Sequence, residues 1–234
     1  MADAIVRGRD ARGERYAAPA GGGAEVAVAG AAAQPEAADH VDALLDRRTR
    51  LVTPFLAGVA ERVARLCHRM ARRFERGGRL LAVGASPADR SDVRHVAVEF
   101  VHPVIVGRRA LPSLGVTAEG GALDLTEDVA VLPALADDVG PDVLVARQVI
   151  AHGRPGDVVL AFSTSGASRN VIAARREARR RGPATIALVG YDGGRIRAEG
   201  LADHAIVSPS QSVPRTQGAQ ATACHLLREL VERR

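Results

Sequence analysis

The most constraining feature of the sequence is a run of five consecutive apolar residues, Val158 to Phe162, between Asp157 and the hydroxyl run Ser163 to Ser165. A strand with one solvated face alternates apolar and polar residues, whereas a continuous apolar run of this length is typical of a strand buried on both faces. Parallel sheets covered by helices on each side contain such strands. The run therefore predicts an α/β protein.

A tight turn at Gly166 and then a helix are predicted directly after the hydroxyl run. Ser168 is a candidate N-cap, and Gly182 followed by Pro183 ends the pattern. The apolar stripe of this helix is Val171, Ile172, Ala174 and Ala178. A strand, a hydroxyl-rich turn and a helix N-terminus together form a cradle for an anion such as phosphate. Simple helix capping accounts for the same hydroxyl residues, so both interpretations stay open at this point.

The rest of the chain alternates apolar runs with helical patterns. The other predicted strands are Arg79–Ala85, Leu111–Thr117, Ala184–Gly190 and Ala205–Val207. The first helical region, over residues 39–76, is predicted to be either two helices or one helix kinked at Pro54. The other predicted helices are Ser91–Val101, one ending at His152, and Pro214–Arg234. This alternation predicts a parallel sheet. Ligands of such sheets bind beyond the carboxyl ends of the strands, where Ser86, Thr117 and Ser163 to Ser165 fall.

The predicted domain organisation is an Ala- and Gly-rich flexible extension over residues 1–36 and a single domain over residues 37–234. Within that domain, residues 37–76 are the N-terminal helices and residues 79–234 the α/β core and C-terminal helix. The sequence has no apolar run of membrane-spanning length and no signal-peptide pattern, which predicts a cytoplasmic protein without a membrane partner. Cys67 and Cys224 lack metal-ligand spacing and are predicted to be packing residues.

All 32 basic residues other than histidine are arginine, because the chain contains no lysine. Schiff-base chemistry and a Walker-type phosphate lysine are thereby excluded. Arginines cluster at Arg47-Arg48, at Arg72, Arg73 and Arg76, and over Arg175–Arg181. Aromatic residues make up only 3% of the chain and acidic residues are interspersed, so we expect solvated helix faces and no nucleic-acid partner.

Chemistry-bearing residues stand out in two of the helices. After the first strand, Asp92, His95 and Glu99 share one helix face, while the core stripe is Val93, Val96, Ala97 and Phe100. His95 and Glu99 fit a metal site, an acid/base pair or an ordinary surface pair. In the last helix, Gln217 and His225 lie about 12 Å apart along the axis, so one straight helix can hardly offer both to a single ion. If both are ligands, either the sites are shared between neighbouring subunits or Gln217 lies in a frayed first turn.

The run Phe162–Ile172, with Gly153–Asp157 before it and Ile186–Gly194 after it, resembles the sugar isomerase (SIS) domain. Within that group the chain is similar to the phosphoheptose isomerases over about residues 40–234. The resemblance implies an α/β three-layer sandwich with a parallel, flavodoxin-like sheet, preceded by an N-terminal helical segment. It also implies a homo-oligomer, a tetramer with sites at subunit interfaces.

Phosphoheptose isomerases carry His-x-x-x-Glu on an early helix, and Gln and then His eight residues later on the last helix. His95, Glu99, Gln217 and His225 follow this pattern and, by the resemblance, would hold a zinc ion, with Glu99 and His225 as the catalytic acid/base pair. The substrate-binding residues implied in the same way are Ser163, Thr164, Ser165, Ser168, Ser86, Glu119 and Gln217.

The sequence departs from the family pattern mainly in the loop after the first strand. Gly84–Asp89 stands where Gly-Asn-Gly-Gly-Ser is usual, Ala167 replaces an Asn, and Glu119 an Asp. The residues that the resemblance implies for phosphate and metal binding are therefore retained, whereas the contacts to the sugar hydroxyls are expected to differ.

The expected activity is aldose–ketose isomerisation of sedoheptulose 7-phosphate to D-glycero-D-manno-heptose 7-phosphate through an enediol, with metal assistance. Two alternatives stay open. One is a non-catalytic SIS module that binds a sugar phosphate or a protein partner, as relatives that regulate replication initiation do. The other is an isomerase of a different phosphosugar.

Overall fold

The computed structural model describes residues 35–102, 109–117 and 131–231. The chain divides into two units, residues 1–46 and residues 47–234. The predicted extension over residues 1–36 lies almost entirely outside the described residues, so that boundary stays a prediction.

Five parallel strands form one sheet in the order β2-β1-β3-β4-β5. The strands are β1 (Leu80–Gly84), β2 (Ser113–Thr117), β3 (Val158–Ser163), β4 (Ala184–Val189) and β5 (His204–Val207). The register pairs Leu80 with Ser113 on one side and with Val158 on the other. This order is the flavodoxin-like one, in which the chain changes direction across the sheet between β1 and β3. The predicted fold class is confirmed.

Helices account for most of the remaining described residues. They are α1 (Pro35–Glu75), α2 (Pro87–Val101), α3 (Val131–Val139), α4 (Leu144–His152, preceded by a 3₁₀ turn at Pro141–Val143), α5 (Arg169–Arg181), α6 (Gly194–Ala198) and α7 (Val213–Val231). Among the described residues, no helix is long and apolar enough to span a bilayer.

The core consists of two apolar layers, one on each face of the sheet. Alternate strand residues such as Leu80 and Leu160 pack against α1, α2 and α7, whereas their neighbours, such as Leu81 and Val159, pack against α4, α5 and α6. All six residues of β3 are buried, because this central strand is covered on both faces. Cys67 and Cys224 are buried and unbridged, which confirms them as packing residues.

The structure decides between the two predictions for the first helix and differs from the predicted helices at three other places. One of them is α3, since a loop was predicted before the helix that ends at His152. Of the two alternatives for residues 39–76, the structure has one helix: α1 continues through Pro54, and Phe55 and Val63 after the proline are buried in the core. α2 begins at Pro87 rather than after Ser91, because Ser86 caps it. The short α6 was not predicted, since five residues are too few for a clear helical period.

Candidate active site

The start of α2 is fixed by a capping box at the carboxyl end of β1. The Asp89 N–H donates to Ser86 Oγ at 3.2 Å, and the Ser86 N–H donates to Asp89 Oδ2 at 3.1 Å. Pro87 occupies the first helical turn, where its missing N–H costs nothing. The predicted substrate ligand Ser86 therefore uses its hydroxyl to begin the helix.

Asp89 also ties α2 to the turn after β3. Its second oxygen, Oδ1, accepts a hydrogen bond from the Thr164 N–H at 3.0 Å, and the residue is only 1% exposed. One buried carboxylate thus holds together the loops after two neighbouring strands, β1 and β3. Asp89 was not among the predicted site residues, although Ser-x-x-Asp is a recognisable capping signal in the sequence.

The segment Ser163–Ser168, which we call the hydroxyl turn, follows β3. Ser163 is 1% exposed, and its Oγ accepts a hydrogen bond from the Gly166 N–H at 3.1 Å. Gly166 has φ +64°, and a Cβ there would lie 2.1 Å from the Gly193 carbonyl oxygen. Ser163 therefore shapes the turn from inside, and only glycine fits at position 166.

The other hydroxyls of the turn are accessible. Ser165 is exposed, and its Oγ accepts from the Ala167 N–H at 3.2 Å. Thr164 and Ser168 are half-buried, and their hydroxyls make no hydrogen bond with any residue that the structure describes. Ser168 is the N-cap of α5, as predicted, but without a side-chain capping bond. The turn thus combines free hydroxyls with the unpaired N–H groups of a helix N-terminus, which suits an anion.

Three side chains from two helices meet farther along α2. His95 and Glu99 come from α2 and His225 from α7, and one ligand atom of each lies within 4.8 Å of the others. The Nε2 atoms of the two histidines are 2.8 Å apart. We call these residues the histidine cluster. His95 and His225 are exposed and Glu99 is half-buried.

The histidine cluster fits a zinc ion by its donor set. Two imidazole nitrogens and one carboxylate oxygen are common zinc ligands, and a site with three protein ligands leaves a position open for substrate. The same three groups without a metal also suit proton transfer. Both uses require the convergence of α2 and α7, which the structure provides.

Arg228, one turn after His225 on α7, fastens this helix to the end of α2. Its Nε donates to the Glu99 carbonyl oxygen at 3.0 Å, and its Nη2 donates to the Arg109 carbonyl oxygen at 2.8 Å. The guanidinium carbon also lies 5.5 Å from the centroid of the Phe100 ring. Arg228 was not predicted as a site residue, because nothing in its local sequence indicates which carbonyls it reaches.

Gln217 lies near the start of α2, two turns of α7 before His225. Its Nε2 donates to the Ala88 carbonyl oxygen at 3.2 Å and approaches Asp92 Oδ1 at 3.5 Å. Burial raises the pKa of Asp92 to about 7; the hydrogen bond from Gln217 opposes this shift, and the nearby Asp89 carboxylate adds to it. The structure therefore brings together three of the four predicted metal ligands. The fourth, Gln217, contacts Asp92 instead.

One predicted substrate ligand, Glu119, lies outside the described residues. Of the others, Thr164, Ser165 and Ser168 lie together on the hydroxyl turn, which α2 connects to the histidine cluster. Asp89 contacts the turn. His95 lies six residues after Asp89 on α2, about 9 Å farther along the helix axis. A phosphate on the turn and a reacting group at the cluster are thus compatible with one extended substrate.

The chain is similar to known proteins of one family. Residues 45–190 match the model of the SIS domain family. The chain is 37% identical over 201 residues to a phosphoheptose isomerase of Roseiflexus sp. (strain RS-1), covering 83% of this chain and 91% of that relative. It is 38% identical over 191 residues to one from Pelobacter propionicus, covering 82% and 91% of the two chains.

Solved structures are similar over the same region. Phosphoheptose isomerase GmhA from Neisseria gonorrhoeae superposes with a TM-score of 0.69 at 28% identity, over 83% of this chain and 97% of that one. A phosphoheptose isomerase from Francisella tularensis shares the fold, with a TM-score of 0.71 at 23% identity over 84% and 98% of the two chains. The chain belongs to the SIS domain family and, within it, to the phosphoheptose isomerases.

Proposed function

We propose that the protein is an aldose–ketose isomerase that converts D-sedoheptulose 7-phosphate to D-glycero-D-manno-heptose 7-phosphate through an enediol. The observation that carries the proposal is the convergence of His95, Glu99 and His225 within 4.8 Å, from helices far apart in the sequence. Membership of the phosphoheptose isomerases supports this choice of substrate.

In this proposal the hydroxyl turn binds the substrate phosphate. Thr164, Ser165 and Ser168 donate hydrogen bonds through their hydroxyls, and the first N–H groups of α5 complete the cradle. The Thr164 N–H is already used by Asp89, so this residue contributes its side chain rather than its main chain. The phosphate thereby fixes the orientation of the sugar relative to the histidine cluster.

Glu99 and His225 are the proposed acid/base pair. Glu99 would take the proton from the carbon beside the carbonyl and return it to the neighbouring carbon, while His225 would move protons between the two oxygens. A carboxylate and an imidazole suit these transfers near neutral pH. Arg228 supports the geometry by holding the Glu99 main chain against α7.

The proposed cofactor is one zinc ion per site. His95, Glu99 and His225 of one chain would hold it. The predicted fourth ligand, Gln217, would come from a neighbouring subunit, because Gln217 and His225 of one helix are about 12 Å apart along its axis. When bound, zinc supplies a Lewis acid that polarises the substrate carbonyl. Glu99 cannot act fully as a ligand and as a base at the same moment, so ligation and proton transfer would alternate on this residue.

A homotetramer with sites at subunit interfaces is part of the proposal. The exposure of both histidines supports it. So do Val98 and Val101 on α2, which lie within two residues of Glu99 and are 59% and 50% exposed. A second chain packing there would cover these apolar side chains and close the site. We also propose a cytoplasmic location, with which the two unbridged cysteines agree.

A second candidate is an isomerase of a different phosphosugar. One observation favours it: the loop after β1 uses Ser86 and Asp89 to cap α2 and hold the hydroxyl turn, so it offers the sugar a different set of groups from the usual family loop. The phosphate and proton-transfer parts would be unchanged. Only the sugar hydroxyl contacts separate the two candidates.

The test is turnover of a panel of phosphosugars by the purified, zinc-supplemented protein. We expect sedoheptulose 7-phosphate to give the aldose product with the highest kcat/KM of the panel. Preference for another sugar phosphate would replace the first candidate with the second. Absence of turnover on every sugar, from folded protein with zinc bound, would contradict both and favour a non-catalytic binding module.

A further inference from the structure

A cavity of about 700 Å³ lies at the edge of the sheet opposite the hydroxyl turn. It is formed between α1 and the amino ends of three strands, since Val158, Ala184 and His204 are the first residues of β3, β4 and β5. We call it the basic cavity. The candidate active site uses the carboxyl ends of the strands, so none of its residues line this space.

Arginines dominate the wall that α1 contributes. Arg69, Arg72 and Arg76 recur at spacings of three and four residues, which places them on one face of the helix and the turn after it. They are exposed and make no hydrogen bond or ion pair with any residue in the described ranges. Arg73, by contrast, donates through Nη1 to the Pro155 carbonyl oxygen at 2.9 Å. Three guanidinium groups are therefore available to a ligand.

Few negative charges oppose these arginines. Asp203 is the one carboxylate among the lining residues, and its Oδ2 accepts hydrogen bonds from Thr185 N at 2.7 Å and Thr185 Oγ1 at 2.8 Å. His204 carries little charge near neutral pH, because its pKa is lowered by burial and then by the positive charge of Arg69. The cavity thus carries a net positive charge, since four arginines line it against one carboxylate.

The size and the floor of the cavity narrow the class of ligand. Leu66, Met70 and Ile186 form an apolar floor. The volume is in the range of small-molecule sites and much larger than a single phosphate ion needs. Guanidinium groups spread along two turns of helix suit several phosphate oxygens at once.

We propose that the basic cavity binds a phosphorylated small molecule that carries at least two phosphate groups and a less polar body. The sequence predicts a solvated helix face for Arg72, Arg73 and Arg76. The cavity beside them, with its apolar floor, is what distinguishes a ligand site from such a face. The site is separate from the proposed isomerase centre, so it serves an effector or a second ligand rather than the substrate.

The experiment is calorimetric titration of the full-length protein with ADP as the probe and adenosine as its phosphate-free counterpart. We expect saturable binding of one ADP per chain and none of adenosine. Arg69→Gln with Arg72→Gln should weaken ADP binding at least about tenfold, because two charge-assisted contacts are lost. Both residues are exposed and unpaired within the described ranges, so the variant is expected to fold.

Two further variants make the result specific. Arg176→Gln with Arg195→Gln removes the same amount of charge from arginines that pair with Glu199, and it should leave the ADP affinity unchanged. Thr164→Val with Ser168→Ala removes two hydroxyl groups of the hydroxyl turn. This variant should also leave the ADP affinity unchanged. The proposal is overturned if wild-type protein shows no saturable ADP binding, if the Arg69 and Arg72 variant binds normally, or if the hydroxyl-turn variant loses binding. Preferential binding of a single-stranded oligonucleotide would overturn it too.

Discussion

The hydroxyl turn and the histidine cluster carry the two halves of the proposed reaction, and the chain builds them in different ways. The turn is made of consecutive residues and braced from within, by Ser163 and by the buried carboxylate of Asp89. The cluster consists of side chains from positions as far as 130 residues apart, and its two histidines are exposed. The proposed phosphate site is therefore preorganised within one chain, whereas the proposed reacting centre is exposed.

This contrast predicts that changes in the two regions affect different kinetic parameters. Preorganised binding groups act on the ground state and the transition state alike, so their loss raises KM. Groups that move protons act in the transition state, so their loss lowers kcat. The predictions below run from the largest expected effect to the smallest.

Replacing the proposed acid/base residues should have the largest effect. Glu99→Gln and His225→Ala should each lower kcat by about 10³-fold or more, because proton transfer by a positioned side chain contributes on the order of 10²–10⁴. Steady-state kinetics measures the change, and circular dichroism should report an unaltered fold. His40→Ala, at an exposed histidine near the start of α1, is the control and should retain full activity. Near wild-type turnover in either cluster variant would refute the assignment.

Removal of metal is the next largest change. Chelation should lower kcat by at least about a hundredfold without loss of secondary structure, because loss of a Lewis acid costs several kcal/mol of transition-state stabilisation. Added zinc should restore the activity. His95→Ala should reduce the bound zinc per chain, measured by atomic emission. Full activity in metal-free protein would remove zinc from the proposal while leaving the acid/base pair intact.

A pair of serines within the hydroxyl turn separates binding from scaffolding. Ser168→Ala should raise KM for the phosphosugar by about tenfold, as expected for one hydrogen bond to a charged group, and leave kcat nearly unchanged. Ser163→Ala should instead lower the free energy of unfolding by about 1 kcal/mol, because its buried Oγ accepts the Gly166 N–H. Kinetics and urea denaturation of both variants give the comparison. Equal effects of the two variants on KM would contradict the division of roles.

The prediction with the smallest effect on turnover is a pH dependence of stability at Asp92. Burial raises the pKa of this carboxyl from 3.8 to about 7, so the folded protein holds the proton more tightly than the unfolded chain. The metal-free protein should therefore lose stability as pH rises from about 4 to about 7. Asp92→Asn should remove this contribution. Melting temperatures across the range measure it, and identical profiles for wild type and variant would show that Asp92 does not contribute.

The hydroxyl turn was predictable because its determinants are local. The sequence has an apolar run of five residues, a Ser/Thr turn and a capped helix next to one another. The structure confirms the position of β3, Ser168 as the N-cap of α5 and Gly182 as its C-cap. The parallel sheet follows from the same kind of pattern, repeated along the chain.

The histidine cluster was predictable only in part, because it depends on tertiary packing. The spacing of His95 and Glu99 fits a surface pair as well as a metal site, and only the resemblance to a family joined them to His225. The contacts of Arg228 depend on how α7 packs against the end of α2. Asp89 differs from Arg228, since the capping signal that identifies it is present in the sequence.

The most direct test of the central claim is deuterium incorporation from D₂O at the second carbon of the aldose formed from sedoheptulose 7-phosphate, followed by NMR. An enediol mechanism with Glu99 as the base predicts aldose product labelled at that carbon with wild-type protein, and neither product nor label with Glu99→Gln. Aldose product from Glu99→Gln at a rate near that of wild type, or equal labelling by wild type and Glu99→Gln, would contradict proton transfer by the histidine cluster.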